Sequence, residues 1–224
     1  DIIKVKLQAS KENAVDKLIE EVNNKLGTND HLFLPTRDPD GLFAELKKTF
    51  GEKEIVKEEG TGIDKYTLTL DNGKKVEFYL VNPFVKDDIL QDLVTNFRKL
   101  ERDDKGNIIS NQKVVITNER GWRALDWGKI DAEENGSRAK ISLLFSEVHS
   151  SDLVEICQLL GRLNRFGNIK NPAYLPDDAM FFIKEGELEK RVSDYKEFYS
   201  DYLKAEDKET VRKQFNLDKT SDVE

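Results

Sequence analysis

Cysteine is almost missing from this chain: Cys157 stands alone. One thiol cannot close an internal disulfide, and it rules out a zinc site built from cysteines. Such usage suits a reducing compartment, and the expected location is cytoplasmic. Histidine is nearly as scarce, and His31 and His149 lack metal-ligand spacing, so no metal ligand is expected here. No apolar run reaches the roughly 20 residues that a spanning helix needs, so no membrane span is expected. No signal-peptide pattern opens the chain. It begins at Asp1 rather than at methionine, and a piece of a longer protein is expected. Also missing is the phosphate-cradling pattern G-x-x-x-x-G-K-[ST]; Gly73-Lys74-Lys75 lacks both the first glycine and the hydroxyl. No acidic Asp-Glu metal motif and no Ser-His-Asp arrangement is found either, so a self-sufficient enzyme has no evident machinery.

What is present suits one large domain, or one domain with an appendage, in 224 residues. Hydrophobic residues make up 38% of the chain, enough for a buried core, and charged residues make up 36%. Lys and Arg number 36 against 44 Asp and Glu, a formal net charge of −8. An acidic surface has no general attraction for phosphate backbones, although a local basic groove remains compatible with it.

Strand and helix patterns alternate along the chain. Lys11 to Leu26 reads as an amphipathic helix capped by Ser10, with Ala14, Leu18, Val22 and Leu26 on one face. His31-Leu32-Phe33-Leu34-Pro35 reads as a buried strand. A helix capped by Asp40 runs through Leu42, Phe43, Leu46 and Phe50 to Gly51. A short strand at Ile55-Val56 follows. Tyr66–Leu70 and Lys75–Val81 flank Asp71-Asn72-Gly73-Lys74, and Asn-Gly between two alternating runs predicts a hairpin. Asp87 to Leu100 reads as a helix with Ile89, Leu90, Leu93 and Phe97 inward, and 101–111 as a polar loop. Val114–Ile116, Ile141–Phe145 and Met180–Ile183 read as buried strands. Helices are expected from Ser151 or Asp152 to about Arg165, and from Glu185 to Leu203; the tail beyond Lys204 is mostly charged. The alternation predicts an α/β fold: a mostly parallel sheet with helices on both faces and the hairpin, about 64–83, projecting as an insertion. The expected division is one domain over 1–190 and a charged helix and tail over 191–224.

The chemistry concentrates in Gln158-Leu159-Leu160-Gly161-Arg162-Leu163-Asn164-Arg165. Positions 158, 162 and 165 are i, i+4 and i+7, so one helix face carries a glutamine and two arginines. Ile156, Cys157, Leu160 and Leu163 form the apolar side, where Cys157 is read as a core residue. The fixed donor fork of arginine suits phosphate oxygens. Gly161 removes a side chain beside Arg162 and allows a partner to approach closely. The plainer account is a helix whose arginines are solvated or paired to neighbours such as Glu155.

Q-x-x-G-R-x-x-R is similar to motif VI of superfamily 2 helicases and of the SecA family, the motor ATPases of preprotein export. That resemblance implies that Arg162 and Arg165 are arginine fingers reaching ATP held by another domain, with Gln158 and Gly161 beside the nucleotide. Leu159 stands where many members have arginine, and Asn164 where many have glycine. Upstream, Val114-Val115-Ile116-Thr117-Asn118 runs into Glu119-Arg120-Gly121-Trp122-Arg123-Ala124-Leu125-Asp126-Trp127, which resembles motif V. By that resemblance Thr117, Arg123 and Asp126 lie at the nucleotide, Asp126 near the ribose or the motif VI arginines. Here the loop is one residue longer, and Ala124 replaces the usual glycine. On the plainer account this is a strand-to-helix loop with Trp122 and Trp127 in the core.

The run from His31 to Arg37, with the helix to Gly51, looks like motif IV, so the three stand in family order. The resemblance covers roughly residues 10 to 190, with 60–83 divergent. The pattern is closest to the second nucleotide-binding domain of SecA: the Lys11–Leu26 helix resembles its lead-in helix, His149 precedes motif VI as a histidine does there, and Met180–Leu188 follows similarly. The resemblance implies a RecA-like second motor domain of an ATP-driven translocase, acting as a hydrolase only with an N-terminal RecA-like domain of the same protein. That domain would hold the phosphates of ATP and the Mg²⁺, and this chain alone is expected to be inactive. The translocated partner would be a polypeptide or a nucleic acid. Two other readings stand beside it: half of an RNA or DNA helicase, and a degenerate SecA-like module that binds a protein without ATP turnover.

Overall fold

The computed structural model describes residues 5–51, 53–124, 127, 139–147, 178–187, 190 and 193. The chain divides into two compact units, Asp1–Lys184 and Glu185–Glu224. The first holds the sheet and both cores. In the second, the Lys190 N–H donates to the Gly186 carbonyl at 3.4 Å. The expected helix from Ser151 to about Arg165 lies outside the described residues, as does most of the one from Glu185 to Leu203.

Eight strands form one sheet in the order β1-β8-β7-β2-β6-β5-β4-β3. They are β1 (Val5–Ser10), β2 (His31–Pro35), β3 (Ile55–Glu58), β4 (Asp64–Thr69), β5 (Lys75–Val81), β6 (Gln112–Thr117), β7 (Ile141–Phe145) and β8 (Asp178–Lys184). The helices are α1 (Ala14–Lys25), α2 (Pro39–Phe50), α3 (Asp87–Asn96) and α4 (Glu119–Ala124). From β1 to β5 across the sheet every pairing is parallel; only β5–β4 and β4–β3 are antiparallel. The expected α/β class with a mostly parallel sheet is what the chain forms.

The side-chain alternation of strands explains the two cores. Leu32, Leu34, Val76, Phe78, Leu80, Val114 and Ile116 point to the face covered by α1 and α2, where Leu18, Val22, Phe43 and Leu46 pack. Phe33, Val81, Val115, Ile141, Leu143 and Phe145 point to the other face, against Leu90 and Leu93 of α3, Trp122 of α4, and Trp127. Both faces being apolar, the central strands read as continuous hydrophobic runs rather than alternating ones.

Four local expectations are corrected. β1 was not foreseen: Val-Lys-Leu-Gln-Ala-Ser alternates apolar and polar residues, but the run is short, and Lys6 to Ala9 are all exposed, Leu7 included. α1 starts later than expected, because Asn13 rather than Ser10 is its cap, accepting the Val15 N–H at 3.1 Å. α2 is capped by Asp38, not Asp40; Pro39 sits at the first helical position and Asp38 accepts the Gly41 N–H at 2.9 Å. α3 ends at Asn96, four residues early.

The hairpin forms at Asn72-Gly73, where Gly73 takes φ 79° and the Leu70 N–H donates to the Lys74 carbonyl. It does not project. β5 lies parallel to β6 from Val76↔Gln112 to Val81↔Thr117 and β3 is added at the far edge, so the hairpin widens the sheet. The reason is apolar: Val76, Phe78 and Leu80 extend the α2-covered core, with Phe78 stacked near Phe43 and Phe50 at 5.3 and 5.5 Å.

Candidate functional site

From β2 the chain builds β5 and β6 on one side, then crosses to β7 and β8 on the other. Adjacent strands β2 and β6 therefore feed helices on opposite faces, α2 on one and α4 on the other. Where successive connections leave to opposite faces, a crevice opens at the carboxyl ends of the strands, the usual place for ligands in open α/β sheets.

Three strand ends meet there. The Thr36 N–H donates to the Thr117 carbonyl at 2.9 Å, tying the end of β2 to that of β6. The Thr36 hydroxyl and the Arg37 N–H both donate to Glu147 Oε1, each at 2.8 Å, tying β2 to the residue two beyond β7. The Arg37 guanidinium stands between two carboxylates, with Nε 3.6 Å from Glu147 and 3.7 Å from Glu119. Its side chain is 46% exposed, so these pairs are solvent-screened. The edge thus carries an arginine, two glutamates and a threonine hydroxyl, on three loops distant in sequence.

Thr117 ends β6 and is fully buried. Its hydroxyl lies 3.2 Å from the Asn118 carbonyl. A Cβ added at Gly121 would fall 1.7 Å from that hydroxyl, so only glycine lets α4 pack down on Thr117. Arg123 belongs to α4, directly after this strand end, with its side chain outside the described residues. Asp126, Gln158, Gly161, Arg162 and Arg165 lie outside the described residues, as do Cys157 and His149. Trp122 and Trp127 are core residues, 1% and 0% exposed. The Trp127 indole donates to the Gly121 carbonyl at 2.7 Å, which holds that ring against α4.

Arg120 was not singled out from sequence. Its guanidinium donates to the carbonyls of Pro83 and Val85 at 2.8 and 2.6 Å and to the Asp87 carboxylate. It fastens the loop after β5 to the first turn of α4. Glu147 was not foreseen either: Thr36 is 111 residues away, and nothing local marks the pairing.

A second polar region lies at the other end of β5. A hollow of about 590 Å³ is lined by Glu77, Tyr79, Lys99, Glu101, Asn111 and Lys113, among others. The Glu77 carboxylate accepts from the Tyr79 hydroxyl at 2.6 Å and from Asn111 at 3.0 Å, and pairs with Lys65 at 3.3 Å. Burial works to raise the Glu77 carboxyl, but those partners outweigh it and hold it below the usual carboxylate range. Burial and the adjacent Glu77 charge raise the Tyr79 phenol. Burial lowers the Lys113 ammonium, which donates to the Asn96 carbonyl at 2.6 Å. These groups are largely satisfied by one another, which makes a structural network the better account.

No family model, curated protein or solved structure matches the chain.

Proposed function

We propose that this chain is the RecA-like second motor domain of a superfamily 2, SecA-like ATP-driven translocase, completing an ATP site whose phosphate cradle belongs to another RecA-like domain. The observation that carries the reading is the position of two motif-like runs. The run ending in Thr36-Arg37 and the run from Thr117 to Ala124 close adjacent strands at the switch point, where open α/β sheets take ligands. On this reading the β3–β4 extension, with β5 anchoring it, is an addition to the RecA-like plan.

Within the site, Arg162 and Arg165 act on the charge that grows on the transferring phosphoryl group. Gln158, Gly161, Arg123 and Asp126 line the nucleotide. Thr117 works as a positioning residue: its hydroxyl lies against α4, so its part is to fix the strand end from which α4 starts. ATP supplies the phosphoryl group, and Mg²⁺ stays with the phosphate-holding domain. The exposed side chains of Arg37 and Glu119 suit a surface that meets its ligand from one side only.

The test is hydrolysis by the full-length protein. Arg162→Ala or Arg165→Ala is expected to lower kcat by at least ~10²-fold with ATP affinity nearly intact, because a finger acts on charge developing in the transition state. The isolated chain should show no turnover. Arginines that only pair with surface carboxylates would instead cost about 0–1 kcal/mol of stability and leave turnover unchanged. Unchanged single-turnover hydrolysis in a folded variant overturns the proposal.

A further inference from the structure

α4 is six residues long, a length at which a helix has almost no stability of its own in water. Its first turn also lacks the usual local fix. The Asn118 carbonyl accepts the Gly121 and Trp122 N–H groups at 3.0 and 3.3 Å, so Asn118 stands at the start of the helix. A residue of that type normally caps the first turn through its side chain. Here the side-chain oxygen of Asn118 is buried and accepts no hydrogen bond. Tertiary contacts therefore decide where α4 begins and which way it points.

Gly121 and Trp122 press the helix onto the sheet. A Cβ at Gly121 would meet the Thr117 hydroxyl at 1.7 Å and a Val81 methyl at 3.4 Å, and Trp122 is 1% exposed in the core. Apolar contact is non-directional, so it sets how closely the helix lies and not its aim. Arg120 supplies the aim. Its Nη1 donates to the carbonyls of Pro83 and Val85 and its Nη2 to Asp87, so one planar fork reaches three groups of the β5–α3 connection. That connection is a firm reference. Asn82 accepts the Phe84 N–H on Oδ1 at 3.0 Å and the Val85 N–H on its carbonyl at 3.4 Å, and Val85 is buried. The Asn118 N–H donates to the Val81 carbonyl at 3.1 Å, which joins the two strand ends beneath it.

We propose, resting on the ATP-site reading, that Arg120 is a positioning residue: by gripping the Pro83 and Val85 carbonyls it aims α4, and with it Arg123, at the nucleotide. Arg120 acts through the helix and needs no contact with the ligand. The Asp87 pair is the lesser part of the grip, because Asp87 is 90% exposed and the pair is solvent-screened. The two carbonyl bonds are the greater part. A lysine ammonium, a point charge without the fork, does not reproduce them.

The chain has two tryptophans, and both sit against α4: Trp122 belongs to it and the Trp127 indole donates to the Gly121 carbonyl. In the full chain, Arg120→Ala should shift tryptophan emission to the red and raise its quenching by acrylamide, while Asp87→Ala should do neither. In the full-length protein, Arg120→Ala should weaken ATP binding about tenfold, because a displaced helix misplaces ground-state contacts. Arg120→Lys should match it in both assays and, keeping the charge, serves where the alanine variant does not fold. An arginine that only stabilises the fold would lower the melting temperature and leave ATP affinity of the folded protein intact. Unmoved emission or unchanged ATP affinity in a folded Arg120 variant overturns the proposal. A kcat loss in Arg162→Ala beside unchanged affinity in Arg120→Ala overturns the role of Arg120 alone; the converse pattern overturns the arginine fingers alone.

Discussion

The two ends of the parallel strands use polar residues in opposite ways. At the amino end of β6, Gln112 is 6% exposed, and every group on its amide is engaged. Nε2 donates to the carbonyls of Lys25 and Asp30 at 2.9 and 2.6 Å and lies 3.1 Å from the Thr28 hydroxyl, while Oε1 accepts the Gly27 N–H at 2.8 Å. Next to it His31 is 1% exposed, accepts the Lys113 N–H on Nδ1 at 3.1 Å and packs on Phe97 at 5.5 Å. At the carboxyl end, Arg37 is half exposed and stands 3.6–3.7 Å from its two glutamates, longer than a tight charge-assisted hydrogen bond. Gln112, neutral, buried and with its amide fully engaged, has no capacity left for a ligand; it holds the α1–β2 loop in place. A charged, half-exposed side chain such as Arg37 is solvent-screened, and its ion pairs contribute little to stability.

That contrast breaks if the amino end proves tolerant. Gln112→Leu keeps the volume but strands the Gly27 N–H and two carbonyls, so urea denaturation should show a loss of about 3 kcal/mol. A loss below 1 kcal/mol would mean that water replaces the amide and that this end is not locked.

The next effect depends on pH. Burial, with Lys113 adding to it, pulls the His31 imidazole down to about 3, against 6.5 unfolded. Between those values the unfolded chain binds a proton that the folded chain refuses, so stability is complete above pH 6.5 and falls as pH drops. From pH 7 to 5 the loss should be about 2 kcal/mol. His31→Leu should be less stable at pH 7 but flatter over that range. Equal slopes for the two chains would show that His31 is not held neutral.

The smallest effect belongs to the carboxyl end. Arg37→Ala should cost no more than about 1 kcal/mol, and 0.5 M salt should mask most of that. A larger loss that survives salt would make Arg37 a structural residue like Gln112 and erase the difference between the two ends.

The legible part of this protein is its periodic part. Continuous apolar runs at His31–Pro35, Val114–Ile116 and Ile141–Phe145 announce strands buried on both faces, and Asn72-Gly73 announces its hairpin through one backbone requirement. Alternation of strand with helix then determines the class and the mostly parallel sheet. β1 was passed over although Val5–Ser10 alternates apolar and polar residues: a six-residue run of small and modest side chains is a weak signal, and at the sheet edge Lys6 to Ala9 stay exposed. The cap of α2 was misplaced by two residues because Asp38 and Asp40 both satisfy the local rule, and only the Gly41 hydrogen bond chooses between them. The hairpin pattern says where the chain turns; that β5 lies beside β6, making the hairpin part of the sheet, depends on Phe78 meeting Phe43 and Phe50 across the core. Thr36, Arg37 and Thr117 could be picked out because they follow strand patterns. Glu147 and Arg120 could not, since their partners are chosen by which strands become neighbours: Glu147 reaches Thr36 because β7 lies beside β2, and Arg120 reaches Pro83 because β6 lies beside β5. Local hydrogen bonding and periodicity act over a few residues and can be read from the chain, whereas the pairing of distant loops exists only after the sheet has closed.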